Sequence, residues 1–299
     1  ISSLISNEEL ILDNQDDLNR RSISDLDQLF PDIDFTEAPI EIDFSALSGR
    51  LEGDVSVSNR EINLTGDVEV AGNFVIGENT KIQGNGYSLL AYGQINILGN
   101  QNSLPEDQRI DSLRLLGREG GEINIDHYHL ENVGLETGNT LSRLTNSTIV
   151  NPFGTTDLHL PSSDIEISNN EFFLDGSQWR IESMTSQADI LISNNIFNDY
   201  NNHDDQIGPN FPKALISNSA SLNDYQIIVK DNTFVNPSAT ILETAWGYDS
   251  ADIHGSGNTV ISSLISNEEL ILDNQDDLNR RSISDLDQLF PDIDFTEAP

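Results

Sequence analysis

The chain has 299 residues, room for one large domain or two ordinary ones, with 36% apolar content, no Cys and a single Met. Its 51 acidic residues face 14 basic ones for a net charge of −37; such a surface repels phosphate backbones, which excludes nucleic-acid binding, and suits salty water, divalent cations or a cationic partner. No apolar run approaches the ~20 residues of a membrane helix, so membrane insertion is not expected, and without Cys there are neither disulfides nor thiolate metal sites.

Residues 1–39 recur letter for letter as residues 261–299, a period of 260. Identity at every position excludes ordinary drift between old duplicates. Either the chain is one period, with overlap, of a tandem array of near-identical units, or a segment was duplicated artificially. The first is preferred, and it makes Ile1 and Pro299 cuts in a longer array. Within the segment, "SSLISNEELIL" has two readings. Ser6 and Glu9 form a capping-box pattern that would start a helix. "LISNEEL" also fits the strand-corner-strand template found downstream, and because its second copy directly follows the strand "GNTV", a strand is preferred. "DNQDD", with Asp13, Asp16 and Asp17, offers carboxylates to Ca2+ but lacks the Gly and terminal Glu of a helix-loop-helix calcium site. "SISDLDQLFPD" then supplies Ser24 as N-cap, Leu26, Leu29 and Phe30 on one face and Pro31 as terminator, which predicts a short amphipathic helix over 22–30. A solenoid exposes an apolar cross-section and unpaired backbone at each end, and this helix is a candidate lid. The first copy is expected on the start of the stack and the second on its finish.

"IEIDFSALSG" would begin the new stack after residue 40. Through residues 54–100, "DVSVSNREINLTGDVEVAGNFVIGENTKIQGNGYSLLAYGQINILGN", short strands of alternating apolar residues are broken by Gly/Asn corners every 6–10 residues, as a three-sided coil requires. "TKIQGNGYSLL" resembles an early coil of the pectin-lyase-like right-handed parallel β-helix family. The resemblance covers roughly residues 40–270, implies that fold, and says little about function, because the family shares a shape rather than one site.

Further along, "DIEISNNEFF" (164–173), "DILISNNIFN" (189–198) and "QIIVKDNTFV" (226–235) align. Asn170, Asn195 and Asn232 form one column and Phe172, Phe197 and Phe234 another. Ser147/Ile149 and Asn258/Val260 are weaker members. A recurring period in the low twenties signals a solenoid. The Asn column is read as tight left-handed corners whose amides also bond from coil to coil, with the Phe column stacked inside. Polar stretches 100–109 and 198–212 are read as loops inserted at corners, where binding function and mere tolerance of insertions are both common.

Several residues could carry chemistry. The resembled family includes lyases, hydrolases and epimerases acting on acidic polysaccharides. Its hydrolases carry paired Asp, then Gly-His-Gly, then Arg-x-Lys. Here Asp204-Asp205 is present, His254-Gly255 lacks the preceding Gly, and Arg180–Glu182 comes too early and has Glu where Lys belongs. Lyases need a basic proton abstractor, for which the C-terminal half has only Lys213 and Lys230 among its lysines. His127 and His129 in "DHYH" are expected on one face of a strand, a spacing that can ligate a metal. Asn63 and Asn146 match the N-glycosylation sequon. Trp179 and Trp246 are isolated and read as packing residues.

The expectation is therefore an all-β, right-handed parallel β-helix with a short helical junction: residues 1–39 as junction, 40–260 as solenoid, 261–299 as the second junction. About nine to ten coils at ~4.8 Å each would make a unit roughly 45 Å long. The expected role is structural and non-catalytic, in an extracellular or cell-surface filament, stalk or adhesin whose partners are neighbouring copies joined end to end. No catalytic or cofactor residue is assigned, and Ca2+ stays an open reading. The rival is a β-helix that binds or cleaves a polysaccharide.

Overall fold

A computed structural model describes residues 42–118, 120–136, 141–153, 155–158, 164–174, 180–183, 189–198, 215–218, 227–235, 241–244, 253–261 and 288–292. The chain divides into the units Ile1–Asp43 and Phe44–Pro299. The second unit is an all-β parallel solenoid. A sheet of nine strands runs Val55–Val57, Asn73–Ile76, Gln94–Leu98, Glu122–Asp126, Leu141–Thr145, Ile165–Ser168, Ile190–Ser193, Ile227–Lys230 and Ile253–His254, each strand pairing in parallel with the next. A thirteen-stranded sheet folds over the long strand Glu61–Val70, whose first part pairs with Lys81–Gln83 and whose last part pairs with Ser88–Ala91. From this bend one face continues down to Thr259–Ile261 and the other ends at Gly134–Glu136. Four strands, Thr155–Leu158, Arg180–Ser183, Ile216–Asn218 and Leu242–Thr244, take over the third face.

The period-2 pattern explains why each strand lies where it does. In Ile165–Ser168 and Ile190–Ser193 the first and third residues point inward, and parallel register places like over like: Ile165 on Ile190 and Ile167 on Ile192. The inner column Ile76, Ile97, Ile125, Leu144, Ile167, Ile192 and Val229 is completely buried. Each such aliphatic side chain is worth about 1.5–3 kcal/mol of transfer free energy. On the neighbouring face Ile62, Ile82, Ile110, Leu130 and Ile149 are followed by Phe172, Phe197 and Phe234. The rings stack at 4.7 Å and 5.1 Å between centroids, nearly parallel, so the expected aromatic column exists.

Loops are accommodated without loss of register. Asn100–Gln108 leaves between Gln94–Leu98 and Arg109–Asp111, and Gln108 closes its neck: its Oε1 accepts from the Asn100 N–H at 2.9 Å, and its Nε2 donates to the Asn100 carbonyl at 2.9 Å. The loop expected over 198–212 lies beyond the described residues apart from Asn198, which ends a strand.

Candidate functional site

Outside the coil that carries the 100–108 loop, the corner between the nine-stranded sheet and the Phe-bearing face is made of two successive residues. The first is left-handed in every described coil of the series Asn59, Asn79, His127, Asn146, Asn169, Asn194 and Asp231, with φ between 52° and 56°; at the last coil it is Gly257, with φ 72°. From Thr80 onward the second is buried, whereas Arg60, which follows Asn59 in the first coil, is exposed. This corrects one expectation. The left-handed residue is Asn169 or Asn194, not Asn170 or Asn195, because the strained position must point its side chain outward while the next residue carries the ladder.

The ladder is complete from Ser147 to the finish. Asn170 donates its amide to Asn195 Oδ1, Asn195 to Asn232, and Asn232 to Asn258, each at 3.0 Å. Each Oδ1 also accepts the preceding ladder residue's backbone N–H, at 3.0 or 3.1 Å. The second amide hydrogen goes to a strand carbonyl, such as that of Ile167 for Asn195. Every donor and acceptor of a middle Asn is thereby used inside the protein, which is what lets an amide be buried at no net loss.

At the finish the next Asn is absent and the chain supplies a substitute. The carbonyl oxygen of Leu289 accepts from both the backbone N–H of Asn258, at 2.9 Å, and its Nδ2, at 2.8 Å. These are the two bonds that a ladder Oδ1 would accept. The Gly257 N–H donates to the Gln288 carbonyl at 3.1 Å, and Thr259 Oγ1 lies 3.4 Å from Asp292 Oδ2. Phe290 is fully buried with its ring tilted against Phe234, centroids 6.3 Å apart, and Leu289 is buried beside it. Gln288 and Leu289 are helical and Pro291-Asp292 turns away. The five residues Gln288–Asp292 thus cover the last rung with two apolar side chains and close its hydrogen bonds with backbone.

The chain matches no family model, and neither a characterised protein nor a solved structure shows significant similarity to it.

Two surface clefts are lined by described residues. A cleft of about 130 Å3 beside the 100–108 loop is lined by Asn100, Ser103, Gln108, His127, His129 and Asn146, among others. His127 and His129 are near one another here, but not as the strand alternation implies. His127 is the left-handed corner residue, so the chain turns between them and the same-face argument fails. His127 Nδ1 lies 3.0 Å from Asp126 Oδ2, and His129 Nε2 lies 3.4 Å from Glu131 Oε2. No group of three His, Asp or Glu residues suited to a metal occurs among the described residues. Burial works against the Asp126 carboxylate, but hydrogen bonds from Thr145, Asn146 and His127 outweigh it and hold its pKa below the ordinary range. Asp111 behaves alike, with Ser112, Asn132 and Arg109 overcoming its burial. Arg109 also reaches Glu131 Oε2 at 2.6 Å.

Tyr128, between the two histidines, is 2% exposed and was not anticipated. It occupies the ladder column, and its hydroxyl donates to the Thr80 carbonyl at 2.8 Å, with the Gly77 carbonyl at 3.0 Å. Burial pushes its phenol well above the usual range, against the opposing bond to Thr80. Thr80, Gln108, Tyr128 and Ser147 are the upstream ladder members. The signal for them is an offset: each stands two residues before an inward apolar residue, as Asn170 does before Phe172.

A larger cleft of about 500 Å3 runs over the nine-stranded sheet, lined by Asn124, Arg143, Glu166, Asp189, Leu191 and Ile228, among others. Arg143 Nε lies 3.5 Å from Glu166 Oε2, both half-exposed. Among the described residues, the two stretches compared with the hydrolase motifs do not share a face. Arg180–Glu182 lies on the four-stranded sheet and His254 on the nine-stranded sheet, a different face. Gly255 follows His254 because a Cβ at that position would lie 1.7 Å from the Val229 carbonyl oxygen, a packing reason for the "HG" pair. Lys230 ends a strand beside the corner residue Asp231. Asn63 donates its amide to the Ser45 carbonyl and Asn146 donates to Asp126. Asp13, Asp16, Asp17, Trp179, Asp204, Asp205, Lys213 and Trp246 lie outside the described residues.

Proposed function

We propose that the chain is a non-catalytic structural repeat unit of an acidic extracellular filament, stalk or adhesin, wound in the right-handed sense of the pectin-lyase-like β-helices. The observation that carries this reading is the covered finish. Gln288–Asp292 sits on the last rung, and it belongs to the thirty-nine residues that also open the chain. A segment that finishes one solenoid and precedes another has the properties of a joint between rods. Parallel stacking with every ladder amide satisfied makes each rod stiff. A net charge of −37 keeps such rods soluble and apart sideways, leaving the ends as the sites of union.

The test is the parent sequence together with its source material. Recurrence of residues 40–260 beyond Pro299, and filaments with a regular axial repeat on the native surface, are the expected results. A parent gene in which the solenoid occurs once would end the array reading.

A second reading rests on the cleft around Arg143. Its guanidinium lies among Glu166, Asp164 and Asp189 beside the half-buried aliphatic side chains of Leu191 and Ile228, a combination that suits a sugar chain. Incubation with uronans and neutral glycans, followed by size analysis of the products, separates the two: depolymerisation supports the polysaccharide-active reading, and unchanged chains with retained binding support an adhesin.

A further inference from the structure

We infer that the capping stretch is exchangeable between molecules: the N-terminal copy, Gln28–Asp32, docks on the finish of a second copy's solenoid in the place of that molecule's own Gln288–Asp292. This deepens the joint proposed above and rests on it for its biological setting, while its physical basis is independent.

Among the described residues, the contacts on the last rung come from a few groups, and all of them exist twice in the chain. They are the carbonyls of Gln288 and Leu289, the side chains of Leu289 and Phe290, and the carboxylate of Asp292. "QLFPD" is spelled by Gln288–Asp292 and again by Gln28–Asp32, inside identical flanks. Whatever free energy the cap gains on the last rung is therefore available, bond for bond, to the other copy.

The finish also demands an occupant. Without one, the Asn258 N–H and amide would lose the Leu289 oxygen, and Phe234 would lose the ring packed against it. An end of this kind is a template for the next chain. Twenty-six residues separate Ile261 from Gln288, a length at which the intramolecular cap works at an effective concentration on the order of mM. An intermolecular cap competes when solenoid ends are crowded to a similar local concentration, as along a fibre or at its breaks. The occupant is thus a second copy of this chain, arriving head to tail. Such a contact is heterologous, and it propagates into filaments wherever its rotation does not close a ring.

The test uses the whole 299-residue chain. Leu289→Asp with Phe290→Asp disables the C-terminal cap and leaves the N-terminal copy intact. This variant is expected to form concentration-dependent head-to-tail oligomers by light scattering, and adding Leu29→Asp with Phe30→Asp is expected to return it to monomer. Equal oligomeric states for the two variants, both with native β-type circular dichroism, would overturn the proposal. A second measurement stands even if those variants unfold. The chain has no cysteine, and Thr259 faces Asp292, so Thr259→Cys on its own provides a mild trap. A synthetic peptide of residues 22–32 with Asp32→Cys, at millimolar concentration, is expected to form a disulfide with that variant. The same peptide with Leu29→Asp and Phe30→Asp is expected to be captured at least tenfold less. Equal capture of both peptides, or capture of neither, would mean that the segment has no affinity of its own for the finish. The array reading stands or falls separately, on the parent sequence.

Discussion

The side-chain nitrogen of Asn258 lies 2.8 Å from the carbonyl oxygen of Leu289, while the Oδ1 of the same Asn258 accepts the amide of Asn232 at 3.0 Å. A backbone carbonyl therefore does at the finish what a side-chain carbonyl does one rung earlier. The ladder ends without an orphan, and the solenoid stops by substitution rather than by breaking its own rule.

Interior and terminal rungs should then respond differently to loss of the amide. Asn195→Ala takes the acceptor from the Asn170 N–H and from one of its two amide hydrogens, the other staying on the Leu144 carbonyl, and removes the side-chain donor to the Ile167 carbonyl. At about 1–3 kcal/mol for each buried orphan, partly relieved by relaxation, the loss is expected to be about 3–5 kcal/mol. Asn258→Ala, next to the end where water can enter, is expected to cost about half as much. Urea midpoints for the two variants check this, and an interior loss no larger than the terminal one would contradict it.

Tyr128 serves the same column by other means. Tyr128→Phe keeps the ring and removes the one donor shared by the Thr80 and Gly77 carbonyls, at 2.8 Å and 3.0 Å. The expected cost is about 1–2 kcal/mol, read as a lower thermal midpoint. Because burial raises this phenol, its absorbance change is expected only when the chain unfolds in alkali. Ionisation of Tyr128 in a chain that keeps its β-type circular dichroism would refute the buried placement.

The recurrence of Asn170, Asn195 and Asn232 was legible because a buried amide is best satisfied by another amide one rung away, so the residue type repeats with the coil. Upstream the same requirement is met by Thr80, Gln108, Tyr128 and Ser147. Their chemistry differs, so letters do not repeat, and only the offset to Ile82, Ile110, Leu130 and Ile149 does. The "DHYH" stretch misled for a related reason. Alternation assumes an unbroken strand, and a single left-handed residue, His127, cancels it. Leu289 and Phe290 were legible as an apolar face seeking cover. The decisive group, the Leu289 carbonyl, was not, because every residue carries one and no sequence pattern marks which is used.

The corner positions give a backbone prediction. Asn194 holds φ 54° with Asn195 beside it in the ladder. Asn194→Gly should be close to neutral, since glycine reaches the left-handed region without a Cβ clash. Asn194→Ala is expected to cost about 1 kcal/mol and Asn194→Val more, by the same steric argument. The order Gly, Ala, Val in thermal midpoint checks it. An inverted order would place the strain elsewhere.

Acid should act through Asp126 with a defined sign. Its folded pKa lies below the ordinary carboxylate value because the bonds from Thr145 at 2.6 Å, Asn146 at 2.7 Å and His127 outweigh the cost of burial. The unfolded chain therefore takes up this proton first as pH falls below about 4. The contribution of Asp126 is present at neutral pH and disappears as pH falls through its folded pKa. Protonation of the many other carboxylates also relieves repulsion across a molecule of net charge −37, which obscures the effect in one titration alone. A comparison isolates it. Asp126→Asn is expected to be less stable than the parent chain at pH 7, with the gap narrowing steadily between about pH 4 and pH 2. Thermal midpoints of both chains across that range supply the measurement, and a gap that stays constant down to about pH 2 would show that the carboxylate carries no pH-linked stability.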